Sequence, residues 1–238
     1  MTPSNCREQY YTSLQKALSA ERLDSYRINS DPSEFKAIAR YFYNAALCEA
    51  LYPALHALEV GLRNSLDQAI TEHCRTNWPN LRDWLSATSP VLCTPQRQDV
   101  SAARQRLRQS GKTQINHSSL VGQLSFGFWT GILGRSYEVG GSASANIWPR
   151  LLKKSFPHIS PQRRTRNNIP FILTRVRRLR NRAFHHEPIW HFSDLLEQYE
   201  VTTEAIGWVC PNLRDTIYNF DKFPHVYASG VDAYRVTR

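Results

Sequence analysis

From Phe35 to Ile70 an apolar side chain returns at nearly every third or fourth position: Phe35, Ile38, Ala39, Phe42, Ala46 and Leu47, then Leu55, Leu58, Leu62, Leu66 and Ile70. That spacing follows the 3.6-residue turn of an α-helix and not the two-residue alternation of a strand. Asp31-Pro32-Ser33-Glu34 supplies a start, with Asp31 as cap and Pro32 in the first turn. Pro53 lacks a backbone donor and crowds the preceding turn, so the pattern predicts two helices, at 33–50 and 54–75.

The same reading extends along the chain. Tyr10, Leu14, Leu18 and Leu23 mark a helix at 7–24. Trp78-Pro79-Asn80 opens a turn, with a short helix near Trp84. Thr94-Pro95 starts a helix reaching 109, with Arg97, Arg104, Arg106 and Arg108 on a basic face and Gly111 as its stop. A helix follows at 118–134, then the loop Gly140-Gly141-Ser142-Ala143-Ser144 and short helical pieces at 145–155. Ser160-Pro161 opens a long basic helix at 161–184, with Pro170 as its point of interruption. Phe192-Ser193-Asp194 leads into a helix at 194–209, and the tail has a mixed pattern with room for short strands. No convincing alternating run, internal repeat or linker appears. The prediction is an all-α single domain over 1–238, with a loosely packed tail from about residue 220.

Charge narrows the partners. The net charge is +10, with 30 Lys and Arg against 20 Asp and Glu. Between Glu138 and Glu187 lie 11 bases and no acid, and the rest of the chain nearly balances. Arg, the better two-point grip on phosphate, supplies most of the excess. Such clustering predicts a polyanionic partner, nucleic acid before acidic lipid. The competing reading is that these arginines pair with acids from elsewhere in the fold.

The five cysteines (Cys6, Cys48, Cys74, Cys93 and Cys210) are odd in number, widely spaced and without a CxxC pair. They read as reduced, mostly buried thiols of a cytoplasmic protein, neither a zinc ribbon nor a disulfide framework. Residues 1–11 lack the apolar core of a signal peptide. The stretch 113–134 carries no charged side chain, but Gln114, Asn116, His117 and Gln123 make insertion into a bilayer costly. No membrane partner is expected. Gly127 and Gly131 read as a place where two helices of a soluble protein come close.

The segment richest in chemistry is Arg177-Arg178-Leu179-Arg180-Asn181-Arg182-Ala183-Phe184-His185-His186-Glu187-Pro188. Arg grips a phosphate, and His moves a proton near neutral pH. Together these side chains suit phosphodiester cleavage without a metal. Five residues on an ideal helix turn about 140° net, so Arg180 and His185 share a face only if the helix ends, bulges or kinks there, or if two chains contribute. Pro188 favours a nearby end. The alternative is that Arg180 pairs with an acid and His185 caps a helix.

This stretch resembles the Arg-Asn-x-x-x-His motif of HEPN domains, specifically of the Abi-like (abortive-infection) proteins, in which His-His closes the motif. Two further blocks are similar: Leu58-Glu59-Val60-Gly61-Leu62-Arg63-Asn64, and Leu124-Ser125-Phe126-Gly127-Phe128-Trp129 with Trp148-Pro149. The similarity spans about residues 20–190. It implies a HEPN-like helical bundle with additional helices, a homodimer with a composite site, and metal-independent endoribonuclease activity in phage defence or growth arrest. It makes Arg180 the phosphate-binding residue and His185 the catalytic histidine, with His186 the runner-up and Asn181 orienting the site. Glu59 and Arg63 become supporting residues, although their four-residue spacing also lets them pair with each other. Arg163, Arg164, Arg166, Arg175, Arg177, Arg178 and Arg182 become RNA contacts. RNA, an antitoxin and a phage-derived trigger are the implied partners; no cofactor is implied. The alternative is a HEPN module that binds RNA or nucleotides without cutting.

Two departures stand out. HEPN toxins silenced by nucleotidylation carry a Tyr two residues after the His; here Glu187 or Pro188 stands there. Abi-like proteins often place a small residue or Cys before His-His, and here it is Phe184. A metal reading of His186-Glu187-Pro188-Ile189-Trp190-His191 fails on spacing, one residue longer than HExxH, and on Pro188.

Overall fold

The computed structural model describes residues 3–141 and 146–235, with side chains in the first helix from Glu8 onward. The Cys6 side chain and 142–144 of the glycine-led loop fall outside it. Among the described residues the fold is all-α, without strands. The helices are α1 (Pro3–Leu18), α2 (Ala20–Asp24), α3 (Glu34–Asn77), α4 (Thr94–Gln109), α5 (His117–Gln123), α6 (Phe126–Ile132), α7 (Leu152–Ser155), α8 (Asn168–Phe184), α9 (Leu195–Val209), α10 (Pro211–Tyr218) and α11 (Phe223–Ser229). None of them is long and apolar enough to cross a membrane.

Several boundaries differ from the pattern. The helix expected at 7–24 is two, because Ser19 takes a left-handed φ of 67° and its hydroxyl caps α2 by accepting from the Arg22 N–H. Pro53 does not divide α3. Proline costs a helix interior about 3 kcal/mol, and the buried Leu47, Leu51, Ala54, Leu55 and Leu58 around it outweigh that. Turns, not a helix, surround Trp84. The helix expected at 118–134 is interrupted at Leu124, where Ser125 caps α6 through the Phe128 N–H. The basic helix begins only at Asn168, whose N–H is capped by the Thr165 hydroxyl, and Pro170 sits harmlessly in the first turn.

The chain groups into two compact units. The first comprises Met1–Pro53, Leu179–Tyr199 and Phe220–Arg238; the second comprises Ala54–Arg178 and Glu200–Asn219.

In the first unit, Tyr11, Leu23 and Ile38 form a buried cluster covered by Tyr10, Leu14, Leu18 and Tyr41. Arg40 is almost wholly buried and donates to the Tyr26 and Asp31 carbonyls and to the Asp31 carboxylate at 2.6 Å. The residues after Asn219 include α11 and a closing 3₁₀ turn, Val231–Tyr234. Phe223 is fully buried, stacked on Tyr199 at 4.4 Å, and the Tyr199 hydroxyl donates to Asp221.

In the second unit, Trp84, Phe128 and Trp129 pack edge and face in one aromatic core. Gly131 lets α6 approach α4: a Cβ there would lie 3.0 Å from the Gln96 side chain. Arg97, assigned to a basic face, instead donates to the carbonyls of Ala87, Ser89 and Leu92, all at 2.8–2.9 Å.

His117 ties this unit together. Its two ring nitrogens lie 2.8 Å from Asp67 and 2.8 Å from Asp83, and Asp67 also accepts from the Trp84 indole at 2.8 Å. Hydrogen bonds to Asp67, then Asp83, push the His117 pKa up to about 10. The raised value means that this stabilisation is complete below the ordinary histidine pKa of about 6.5 and is lost as pH rises through about 10. His117→Ala should cost about 2 kcal/mol at pH 7, since two carboxylates lose their shared cation and a third of the ring is exposed. Urea unfolding of both proteins at pH 7 and pH 10 checks this, and the gap should narrow at the higher pH.

Candidate functional site

α8 buries a continuous stripe, Ile169, Ile172, Leu173, Val176, Leu179 and Ala183, at helical spacing. Its C-terminal turn, from Leu179, belongs to the first unit and carries the motif. The helix stops at Phe184 in a Schellman arrangement: the His186 N–H reaches the Ala183 carbonyl and the Glu187 N–H reaches the Arg182 carbonyl. His186 therefore occupies the left-handed position at φ 58°, where glycine is the usual residue. The helix end follows the motif: the His185 N–H still closes a regular helical bond on the Asn181 carbonyl at 2.9 Å. Arg180 lies in the last full turn, His185 caps it, and both histidines are exposed.

The left-handed histidine is held at a cost. His186→Gly should raise stability by about 0.5–1 kcal/mol, because glycine meets no Cβ penalty at that φ. A rightward shift of the urea midpoint checks it; a leftward shift would mean that the imidazole itself contributes packing that outweighs the strain.

The segment after the motif is pinned by a residue that pattern reading missed. Asn44, in α3, is 3% exposed. Its Oδ1 accepts from the N–H of Ile189 at 2.7 Å and of Trp190 at 3.1 Å, and its Nδ2 donates to the Glu187 carbonyl at 3.5 Å. Arg182 adds a hydrogen bond to the Pro188 carbonyl, an ion pair with Glu187 at 3.5 Å and a cation–π contact with Phe192. Arg22 donates to the His186 carbonyl. An asparagine inside an apolar helix stripe was the available signal, because a buried amide must find backbone partners.

Arg180 is half-buried; its guanidinium carbon lies 4.4 Å from the Phe184 ring centre, and its Nη1 donates weakly to the Asn181 side chain at 3.4 Å. Phe184 in turn stacks on Tyr52 at 5.6 Å. Beside them is a cavity of about 1010 Å³, whose walls include Tyr41, Tyr52, Phe184, His186 and Tyr234, with Glu49 and Lys222 as its charged members. His186 lines this cavity; Arg180, Asn181 and His185 are not among its lining residues.

The arginines assigned to RNA have varied settings. Arg163 forms a two-point pair with Glu204. Arg166 is mostly buried, bound to Glu138 at 2.7 Å and to the Leu133 carbonyl at 2.6 Å. Arg177 donates to the Thr130 hydroxyl at 3.2 Å, and Arg182 secures the loop as described. Arg178 is exposed, and Arg164 and Arg175 are half-buried. Glu59 and Arg63 belong to the second unit and are half-buried, and the Arg63 Nε is buried without an acceptor among the described residues.

Burial lowers the His191 pKa, helped by the nearby Arg182 charge. Among the described residues no three His, Cys, Asp or Glu side chains are grouped to hold a metal ion. No family model, no curated protein and no solved structure matches the chain.

Proposed function

We propose that the chain is a metal-independent endoribonuclease whose working residues are Arg180, Asn181, His185 and His186. The observation that carries this reading is the helix end at Phe184: it releases two exposed imidazoles directly after an arginine seated in the last turn. Arg180 holds the scissile phosphate and takes up charge as the phosphorane forms. His185 takes the proton from a ribose 2′-OH; the 2′-oxygen attacks phosphorus and the bond to the 5′-oxygen breaks. His186 is the second proton carrier, returning a proton to the leaving oxygen, and Asn181 orients the arginine. The products are a 2′,3′-cyclic phosphate and a 5′-hydroxyl. The resemblance to Abi-like HEPN proteins supports the same assignment and adds a homodimer, phage defence or growth arrest, and restraint by an antitoxin or a phage trigger.

Incubating the purified chain with total RNA in EDTA tests it. Cleavage that persists without divalent metal is the expected result. Cleavage that requires added Mg²⁺ and survives loss of both His185 and His186 would overturn the assignment.

A further inference from the structure

We propose that the cavity of the first unit is a subsite for one unpaired nucleobase of the RNA, with preference for a base such as guanine that offers adjacent hydrogen-bond donors. This rests on the RNA-cleavage reading of the neighbouring motif. The cavity, about 1010 Å³, is at the upper end of the range for small-ligand sites, roughly 300–1,000 Å³, and takes a nucleotide with its ribose.

Three observations converge on a base. Tyr52 and Phe184 both line the cavity and lie 50% and 37% exposed, so aromatic surface is offered at its wall. Bases stack on such rings whatever their sequence. Phe184 also carries the Arg180 guanidinium at 4.4 Å, which sets a phosphate grip beside a stacking platform. The two charged wall residues differ in what they attract: the Glu49 carboxylate repels phosphate and accepts from N–H groups, whereas Lys222 attracts phosphate. Guanine presents two neighbouring N–H donors on its Watson–Crick edge, the arrangement that a carboxylate accepts from two points. A base held in a duplex cannot reach these walls, so the substrate is single-stranded at the cut.

The test uses the full chain in EDTA with fluorescent RNA hexamers, 2′-O-methylated to prevent cleavage and differing at one position, read by anisotropy. The guanine oligomer should bind about tenfold tighter than the adenine one, and Tyr52→Leu should weaken all of them about tenfold. Glu49→Gln should erase the preference while leaving the adenine oligomer within about twofold. Glu49 and Tyr52 are exposed, so neither change threatens folding. Equal affinity for all bases, or indifference to both substitutions, overturns the subsite; a peptide or unrelated small molecule as occupant would give that indifference. The cleavage reading is scored separately with unmodified RNA. Cutting that ignores base identity and Glu49→Gln refutes the subsite alone, whereas base-selective binding by a chain that never cuts refutes the nuclease alone.

Discussion

Replacing His185 by alanine should lower RNA cleavage about 10²- to 10⁴-fold, the usual loss when a general acid or base is removed, and leave the unfolding midpoint unchanged. Stability is spared because the His185 ring is exposed, and its backbone N–H reaches the Asn181 carbonyl at 2.9 Å whatever side chain it carries. Arg180→Lys beside it separates charge from geometry. Lysine keeps the positive charge but loses the planar two-point grip on phosphate, so cleavage should fall more than about tenfold while RNA binding weakens less. Initial rates on a defined single-stranded RNA, with thermal melts of each variant, provide both readouts. Wild-type rates in the His185→Ala protein would remove the residue from the mechanism.

The second large effect is on stability. Asn44→Ala should cost about 3 kcal/mol, because it leaves the Ile189 and Trp190 N–H groups and the Glu187 carbonyl without their partner in a site only 3% exposed. Asn44→Asp keeps the acceptor for both N–H groups but loses the long Nδ2 contacts to the Glu187 carbonyl and the Cys48 sulfur and buries a carboxyl, so it should cost about 2 kcal/mol. Asn44 holds the backbone that follows the motif, so under the proposed cleavage it is a positioning residue. Cleavage by the Asn44→Asp protein should therefore recover toward wild type while Asn44→Ala stays impaired. Urea titration with cleavage assays below each melting transition checks both claims, and equal losses in the two variants would contradict the role.

The all-α class was legible because apolar spacing along α3, α4, α8 and α9 is set by burial, and burial is what the pattern records. Helix ends were legible where one residue decides them. Gly111 takes a φ of 84° and closes α4, and Thr94-Pro95 opens it. They were not legible where packing decides. Pro53 remains inside α3, and the breaks at Ser19 and Leu124 depend on serine caps that compete closely with helix continuation. The motif was visible as a string, but its geometry depended on where α8 stops, for which Pro188 was only a hint.

Charge clustering along the chain overstates the free charge. The acids that meet Arg163 and Arg166, Glu204 and Glu138, lie outside the acid-free window, so a linear count misses them. The cavity was invisible for the same reason: Tyr26, Tyr52, Phe184 and Tyr234 are far apart in sequence and meet only in the folded unit. Asn44 could be suspected from its place in an apolar stripe, but its partners could not be named before the loop was seen.

The most direct test of the central claim is the chemistry of the cut ends. A single-stranded RNA carrying one preferred site is incubated with the protein in EDTA, beside the same strand with a single 2′-deoxy nucleotide at that site. The predicted result is cleavage of the all-ribose strand only, leaving a 2′,3′-cyclic phosphate and a 5′-hydroxyl, with none by Arg180→Ala. Cleavage of the deoxy strand, or products ending in a 5′-phosphate, would contradict 2′-OH attack and with it the roles given to Arg180 and His185.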